Sequence, residues 1–584
     1  MKFIFSYMSR YKAAIFLAIF IKLIGTMSEL LLPYILEHMI DKVVPSGDMP
    51  SVIRWGLLMF GAAVMCWIFN VTANRKTIDN AHKVSYDVRQ DLFEKTANLS
   101  GSQFDAIGLP SLISRMTSDS YNVQSAAQQF QSICVRAPMM LLGGIIMTTS
   151  MDLHLALILI IMLPFLIAIV LGISAKGIPM FAVIQQKLDT VVRVMRENIT
   201  GIRVVKALSK TEYEKRRFSG ANQEMMDSDI KANTIMALPG PLMQLFLKSG
   251  LALVIYIGAK RVDAGLMQPG VILAFLTYFN MIAMGVFGLN RIFMTMSRAS
   301  ASANRISSVM KSVTDQNILD PEEALTPGGP EFIRFEHVDF SYGEDSLDNS
   351  GFVGDERQKA LSDISFSLNR GESLGIIGPT GCGKTTIINL LMRFYDAQKG
   401  GIFVDGRDVR TYDKDALHKK FGVVFQNDMV FMDSLRENIN FGRGLSDEAI
   451  LQAAADAQAD EYIKGLDDGL DHMATIKGAN LSGGQKQRLL VARALAGSPE
   501  ILILDDSSSA LDYRTDAAMR HAILEHHPDS TLIMIAQRVS SVMSMTNILV
   551  MDNGQCIGYG KHEELLETCP AYREIYETQM GAMG

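Results

Sequence analysis

The chain has 584 residues, a formal charge of −7, five cysteines and a mean hydropathy of +0.17. That length exceeds a single domain, the hydropathy is too high for an ordinary soluble enzyme, and the acidic balance argues against nucleic-acid binding. Cys66, Cys134, Cys382, Cys556 and Cys569 form no C-x-x-C pair and no histidine spacing, which leaves zinc and a disulfide framework unsupported. The chain runs from Lys2, Arg10 and Lys12 into an apolar run with no small-residue cleavage site, so no cleavable signal peptide is expected.

Six apolar segments follow, near 13–36, 53–73, 133–150, 153–175, 238–260 and 269–296. They predict an all-α transmembrane domain of six helices. From Ile53 to Asn98 there is no proline, and polar residues enter only after Asn70. Such a helix would be roughly 67 Å long against a hydrocarbon core of ~30 Å, so it must project into water. The same holds from Leu153 past Lys187 and for Arg193 to Met236. Arg75, Lys76, Lys83, Arg89 and Arg115 crowd the first long connection, and Lys187, Arg193, Arg196, Arg203, Lys206, Lys210, Lys215, Arg216 and Arg217 the second. The opposite loops offer only Lys42, Arg54, Lys260 and Arg261. Positive-inside bias therefore places both connections and both termini in the cytoplasm. Each connection has a tip with turn chemistry, Ser100–Asp105 through Gly108–Pro110 and Ala207–Tyr213, suited to touching a cytosolic domain. Lys22, Glu29, Lys248, Asn290 and Arg291 lie in or at the ends of spans, where ionisable groups face a cavity, a partner helix or an interface.

A breaker cluster, Asp320-Pro321 and Thr326-Pro327-Gly328-Gly329-Pro330, ends a polar helical stretch. The expected division is a membrane domain over 1–310, a linker over 311–330 and an α/β nucleotide-binding domain over 331–584. Strand signals in the last part are Phe332–Phe335, Val338–Tyr342, Ile364–Leu368, Phe421–Phe425, Glu500–Leu504 and Thr531–Ile535. A helical run covers 447–464, and a hairpin of Ile548–Met551 with Gln555–Gly558 turns at Asn553-Gly554. An acidic insert, Gly343–Lys359, has no assigned role.

After the apolar run Leu374–Ile377 comes Gly378-Pro379-Thr380-Gly381-Cys382-Gly383-Lys384-Thr385-Thr386, opening a helical pattern. Strand, glycine loop, lysine and hydroxyl are what a phosphate chain needs. The loop N–H groups and the helix N-terminus cradle phosphate, Lys384 bridges the β- and γ-phosphates, and the Thr385 hydroxyl holds Mg²⁺. A nucleoside triphosphate with Mg²⁺ is the expected ligand. A second glycine cluster, Leu481-Ser482-Gly483-Gly484-Gln485, opens the helix Lys486–Ala496. It is a second anion-binding helix end, economically explained if it closes on a nucleotide held by another chain. Asp505 ends a buried strand, placed to hold Mg²⁺.

With these motifs in order the chain resembles the ATP-binding-cassette transporters, specifically half-transporters of the exporter type, over essentially its whole length. The resemblance implies that Tyr342 stacks on adenine and that Gln426 joins the Mg²⁺ shell and reports the γ-phosphate to the membrane domain. It implies that the two tips are coupling helices and that Ser482, Gly483, Gly484 and Gln485 contact the γ-phosphate of a partner's ATP. The Ser509-Ala510-Leu511-Asp512 segment also falls in family order. One phosphate loop, one signature and no internal repeat imply a dimer with two composite sites.

Two positions depart from the family. The usual catalytic glutamate is Asp506, one methylene shorter, and the usual histidine is Gln537, which cannot carry a proton or a charge. Together they suggest a site that binds ATP and rarely cleaves it. The expected function is ATP-driven export of a hydrophobic or amphipathic substrate from the cell membrane, plasma or inner, as the degenerate half of a heterodimer. Alternatives are a homodimer with slow turnover and an exporter-fold importer of siderophore complexes, for which Pro164 could interrupt the fourth span. A gated channel or regulator of the same family is a further alternative.

Overall fold

The computed structural model describes residues 1–312, 316–320, 322, 324–343, 359–507 and 510–581, with side chains for all but 170, 171, 174, 178, 182 and 290. Most of the acidic insert, Ser509 and the Asn290 side chain therefore lie outside the described residues. The chain forms two compact units, Met1–Ala97 with Pro110–Ser312, and Asn98–Leu109 with Val313–Gly584.

The first unit is helical. Its elements are α1 (Lys2–Ser9), α2 (Lys12–His38) and α3 (Met49–Ala97). After α4 (Gly101–Ile107), which belongs to the second unit, come α5 (Leu109–Ser114), α6 (Ser120–Gln131), α7 (Ile133–Met151) and α8 (Leu153–Thr200). Then follow α9 (Ile202–Ala207), α10 (Thr211–Ala237), α11 (Pro239–Asp263) and α12 (Pro269–Met310). Among the described residues five helical stretches are long and apolar enough to cross a membrane: Lys12–Val43, Met49–Ala97, Leu109–Met151, Thr211–Asp263 and Pro269–Met310. The apolar stretch Leu153–Ile169 opens the 48-residue α8. At 49 residues, α3 is about 74 Å long, more than twice a hydrocarbon core of ~30 Å.

Polar contacts pin these helices where apolar packing alone sets no register. The Tyr278 hydroxyl donates to the Leu30 carbonyl at 2.7 Å. Arg261 pairs with Asp152 at 2.9 Å, and Arg305 and Ser302 grip the buried Asp119 at 2.5 and 2.8 Å. One expectation needs correction. Arg193–Met236 is not one helix: α8 ends at Thr200, and the chain reverses through α9 and Ser209, whose φ is 52°. Pro164 is tolerated within α8, which also continues through Pro179, since a missing N–H inside a long apolar helix costs one hydrogen bond.

The second unit is α/β. A four-stranded antiparallel sheet has the order β2-β1-β4-β5, with β1 (Ile333–Phe340), β2 (Leu361–Leu368), β4 (Lys399–Val404) and β5 (Arg407–Asp408). A six-stranded sheet has the order β10-β9-β3-β8-β7-β6, with β3 (Ser373–Ile377), β6 (Phe421–Val424), β7 (Ile501–Asp505), β8 (Thr531–Ile535), β9 (Asn547–Asp552) and β10 (Gln555–Gly560). Its strands pair in parallel except β9 with β10. Strands β3, β7 and β8 are buried at every residue, as continuous apolar runs require.

The two strand signals before the insert are one strand, kinked at His337 (φ 49°) with a register shift there. β4 and β5 were not anticipated, because Gly400-Gly401 reads as a turn and leaves only Ile402–Val404 as apolar signal. Helices α13 (Lys384–Leu391) and α14 (Lys414–His418) precede β6. Between β6 and β7 lie α15 (Leu435–Asn440), α16 (Asp447–Asp456), α17 (Asp460–Lys464) and α18 (Gly483–Leu495), the run 447–464 being broken at Gln458 (φ 56°). Helices α19 (Tyr513–His526), α20 (Val539–Val542), α21 (His562–Thr568) and α22 (Pro570–Met580) complete the unit. The expected linker is bound along this unit: Gln316 donates to the Arg393 carbonyl at 3.0 Å, Arg393 to that of Asn317 at 2.7 Å, and Leu319 N–H to that of Arg410 at 3.0 Å.

Candidate nucleotide site

The phosphate loop leaves the central strand β3 and opens α13. Gly381 and Gly383 hold φ values of 85° and 98°, the left-handed region where a side chain is strained, and so turn the loop N–H groups inward. Lys384 Nζ donates to the carbonyls of Gly378 at 2.9 Å and Pro379 at 2.7 Å, folded over the cradle it would share with a phosphate. Thr385 Oγ1 donates to Asp505 Oδ2 at 2.9 Å. Asp505 is 2% exposed; burial pushes its carboxyl above the usual range, the Thr385 bond opposes this, and the neighbouring Asp506 adds to it. A buried carboxylate beside a hydroxyl and a second carboxylate is a hard, all-oxygen donor set, which suits Mg²⁺. Gln426 is exposed just beyond β6.

Tyr342 stands at the other side of α13. Its hydroxyl donates to Thr386 Oγ1 at 3.1 Å, and its ring meets Phe340 and Tyr395 edge-on at 4.8 and 5.2 Å. At 40% exposure the ring keeps an accessible surface.

Asp506 and Gln537 come together because β7 and β8 are parallel neighbours, with Asp505 opposite Ile535. Asp506 has φ 51°, its N–H donates to the Ile535 carbonyl at 3.0 Å, and its Oδ2 accepts from Gln537 Nε2 at 3.1 Å. The carboxylate that would face a water is thus held by the neighbouring amide. Sequence reasoning missed Gln579. From α22 it accepts from Val539 N–H at 2.8 Å and donates to the Gln537 carbonyl at 2.9 Å, acting as a one-residue strand partner.

The signature is a capped helix start. Ser482 Oγ accepts from Gln485 N–H at 3.3 Å while Gln485 Oε1 accepts from Ser482 N–H at 2.8 Å, a capping box. A Cβ at Gly483 would approach that of Ala510 to 3.3 Å. Among the described residues no hydrogen bond joins Ser482 or Gln485 to the phosphate loop of their own chain. Arg493, from the same helix, donates to Met429 and Asn438 carbonyls at 2.9 and 2.8 Å, tying the signature helix to the loop after Gln426. Nothing in its spacing announced that role.

The first tip carries a short helix, α4, as the resemblance implied. Ser100 caps α4 through a second capping box with Gln103. Gly101 N–H donates to the Phe394 carbonyl at 3.0 Å, and Tyr395 Oη donates to Asp105 at 2.5 Å. A line of contacts therefore runs Asp105–Tyr395–Tyr342–Thr386. A Cβ at Gly101 would lie 2.7 Å from Tyr395 Cζ and 2.8 Å from the Phe394 oxygen, so only glycine docks. Gly101→Val is expected to speed amide hydrogen exchange across 101–107 at least about tenfold while β3, β7 and β8 keep their protection. Unchanged exchange at 101–107 would show that this docking is not what orders the tip.

A glycine loop with a hydroxyl–carboxylate pair, joined in one chain to a bundle of overlong apolar helices, defines a membrane transporter driven by a nucleoside triphosphatase module. Comparison with known proteins agrees. The profile of the ABC transporter transmembrane region matches residues 15–286 and the ABC transporter profile matches residues 361–509. The ABC transporter ATP-binding protein YfiB of Bacillus subtilis (strain 168) is 32% identical over 580 residues, 99% of this chain and 98% of that one. The ATP-dependent lipid A-core flippase of Vibrio vulnificus is 29% identical over 587 residues, 99% and 97% of the two chains. In fold, a bacterial Atm1-family ABC exporter solved with ATP bound superposes with a TM-score of 0.80 at 22% identity, covering 97% of this chain and 98% of that one. The chain belongs to the ABC transporter family, as an exporter-type half-transporter with an ATP-binding domain.

Proposed function

We propose that the chain is the degenerate half of a heterodimeric exporter in the plasma or inner membrane, with its nucleotide-binding domain in the cytoplasm. Lys384, Thr385, Thr386 and the loop glycines would hold ATP, with Tyr342 against the adenine. Thr385, Asp505 and Gln426 would hold Mg²⁺, which supplies charge neutralisation of the phosphates.

The Asp506–Gln537 hydrogen bond carries this reading. Aspartate retracts the carboxylate by roughly 1–1.5 Å relative to glutamate, and a misplacement near 1 Å can cost about 100-fold in rate. Here the shortened carboxylate is also occupied by an amide donor that offers no proton and no positive charge. Ser482–Gln485 remain intact to serve the partner's ATP.

A dimer is supported from each unit separately. Tip residues Ile202 and Val204 of α9 and Leu208 just after it are exposed, and so are Met429, Phe431, Met432, Phe441, Met473 and Ile476 on the α15–α18 side of the second unit. Exposed apolar groups of this kind mark interfaces, and a second protomer's tip would suit that face. The uninterrupted α8 supports export over the importer alternative.

The test is turnover with and without a partner. The purified chain alone should show ATPase activity near background, and co-expression with a second half-transporter carrying the family's glutamate and histidine should raise it by about 100-fold or more. Robust turnover by the chain alone would replace the heterodimer with a homodimer.

A further inference from the structure

One buried carboxylate in the second unit has only imidazoles to balance its charge. Asp456, the last residue of α16, is 2% exposed. Its Oδ1 accepts from His526 Nδ1 at 2.6 Å and from Gln452 Nε2 at 2.9 Å, and its Oδ2 from His527 Nε2 at 3.0 Å. An ionised carboxylate only accepts, so both rings present an N–H to it. Among the described residues no lysine or arginine pairs with Asp456. A buried carboxylate without a positive partner is costly, and here that partner is an imidazole, whose charge comes and goes near neutrality.

His526 closes the last turn of α19 and His527 follows as its cap residue, where the helix dipole also favours a cation. His526 is half-exposed, which gives protons access. The hydrogen bond and charge of Asp456, with a smaller contribution from Glu525, hold the His526 imidazole above its usual pKa. The other charged groups on the packed elements have their own partners. Arg488 of α18 donates to the Gln458 carbonyl at 2.6 Å, Lys464 of α17 to Asp460 at 2.9 Å, and Arg520 of α19 pairs with Asp516 at 3.1 Å. His521 pairs with Glu525 at 3.2 Å, Arg436 of α15 with Asp471 at 2.9 Å and with Asp447, and Glu448 lies in the first turn of α16, at its far end.

The contact joins two parts of the nucleotide-binding domain. Helices α16 and α17 are fastened to the signature helix: Ala453 and Ala454 share an apolar core with Leu489 and Leu490, and Tyr462 Oη donates to the Gln485 carbonyl at 3.4 Å. Helix α19 instead follows β7 and Asp506 and starts from its N-cap, Asp512. We propose that Asp456, His526 and His527 form a proton-operated clamp that holds the signature helix against the sheet carrying Asp505 and Asp506. It rests on the signature serving a partner's ATP, but not on the sites being unequal. With His526 protonated the clamp is an ion pair with charge-assisted hydrogen bonds; with both rings neutral the α16–α19 contact loosens. Because folded His526 binds its proton more tightly than the unfolded chain does, the clamp is complete below about pH 6.5, the unfolded value. It is lost as pH rises through the higher folded value. The signature then closes on a partner's ATP from a looser mount.

The test is hydrogen exchange and ATP turnover of the full-length transporter, with its partner, at about pH 6 and about pH 8.5. Protection of amides 450–458 and 520–527, corrected for the intrinsic rate at each pH, should fall about tenfold between those values. The double variant His526→Asn with His527→Gln places amide donors where Nδ1 and Nε2 lie but takes up no proton. It should show equal protection at both values, and Asp456→Asn should do the same. Turnover of the double variant relative to the native chain should be about threefold lower at about pH 6 and should reach parity at about pH 8.5. Gel filtration and unchanged ATP binding show that the variants are folded. Protection in the native chain that ignores pH, or that changes equally in the double variant, would overturn the proposal. So would a change in protection with no change in the turnover ratio, which would leave the contact a structural tie. The unequal-site reading keeps its own test in every case, because that compares turnover with and without the partner.

Discussion

Ser482→Arg is expected to bring ATP turnover of the assembled transporter to background, a loss of about 1,000-fold or more. Ser482 sits at the start of α18, where its hydroxyl accepts from Gln485 N–H and Gly483 lies close to Ala510. A guanidinium there fills the space a partner's γ-phosphate must occupy. It also removes a cap worth ~1 kcal/mol, so Ser482→Ala is the control: it loses the cap without adding bulk and should keep most of the turnover. Lys384→Ala should lower turnover only several-fold, because it weakens ATP holding at the slow site and leaves the composite site served by Ser482 intact. ATPase assays on the three variants separate the cases. Equal damage from Ser482→Arg and Lys384→Ala would show that the two sites are not unequal.

The second large effect is a gain. In a transporter whose partner's catalytic glutamate is neutralised, residual turnover comes from the site built on Lys384 and Asp505. Asp506→Glu restores carboxylate reach, but Gln537 still offers that carboxylate an amide rather than a charge for the γ-phosphate. Gln537→His alone leaves the carboxylate short. The double change should raise turnover by about 100-fold and exceed the product of the two single gains, because groups acting on one transition state are not additive. The direct Asp506–Gln537 bond, at 3.1 Å, is the structural ground for that coupling. A double variant no faster than its background would move the cause of slowness to the partner.

Much of this protein was determined by sequence alone. The strand–loop–helix at 374–391 and the hairpin at Asn553-Gly554 were legible because their chemistry is local: glycine where φ is positive, apolar runs where a strand is buried. The spans were legible for the same kind of reason, since each needs only its own length and composition. Asp506 and Gln537 stood out as departures from a family pattern, with no geometry needed.

Tertiary structure decided what depends on distant residues meeting. Adjacent parallel strands β7 and β8 put the Gln537 amide on Asp506, 31 positions away in sequence. The grip of Gln579 on the Gln537 segment and the docking of Gly101 and Asp105 on Phe394 and Tyr395 have no local signature, because backbone carbonyls and a tyrosine hydroxyl accept or donate to whatever reaches them. The same holds in the membrane unit. Lys22, Glu29 and Arg291 were visible as charges in apolar spans, but only the close packing of α7 on α12 through Gly285 and Gly288 shows that Arg136 and Arg291 share one cleft. Periodicity tells which face of a helix is apolar; which helix covers that face, and which charges are left facing one another, follows from packing.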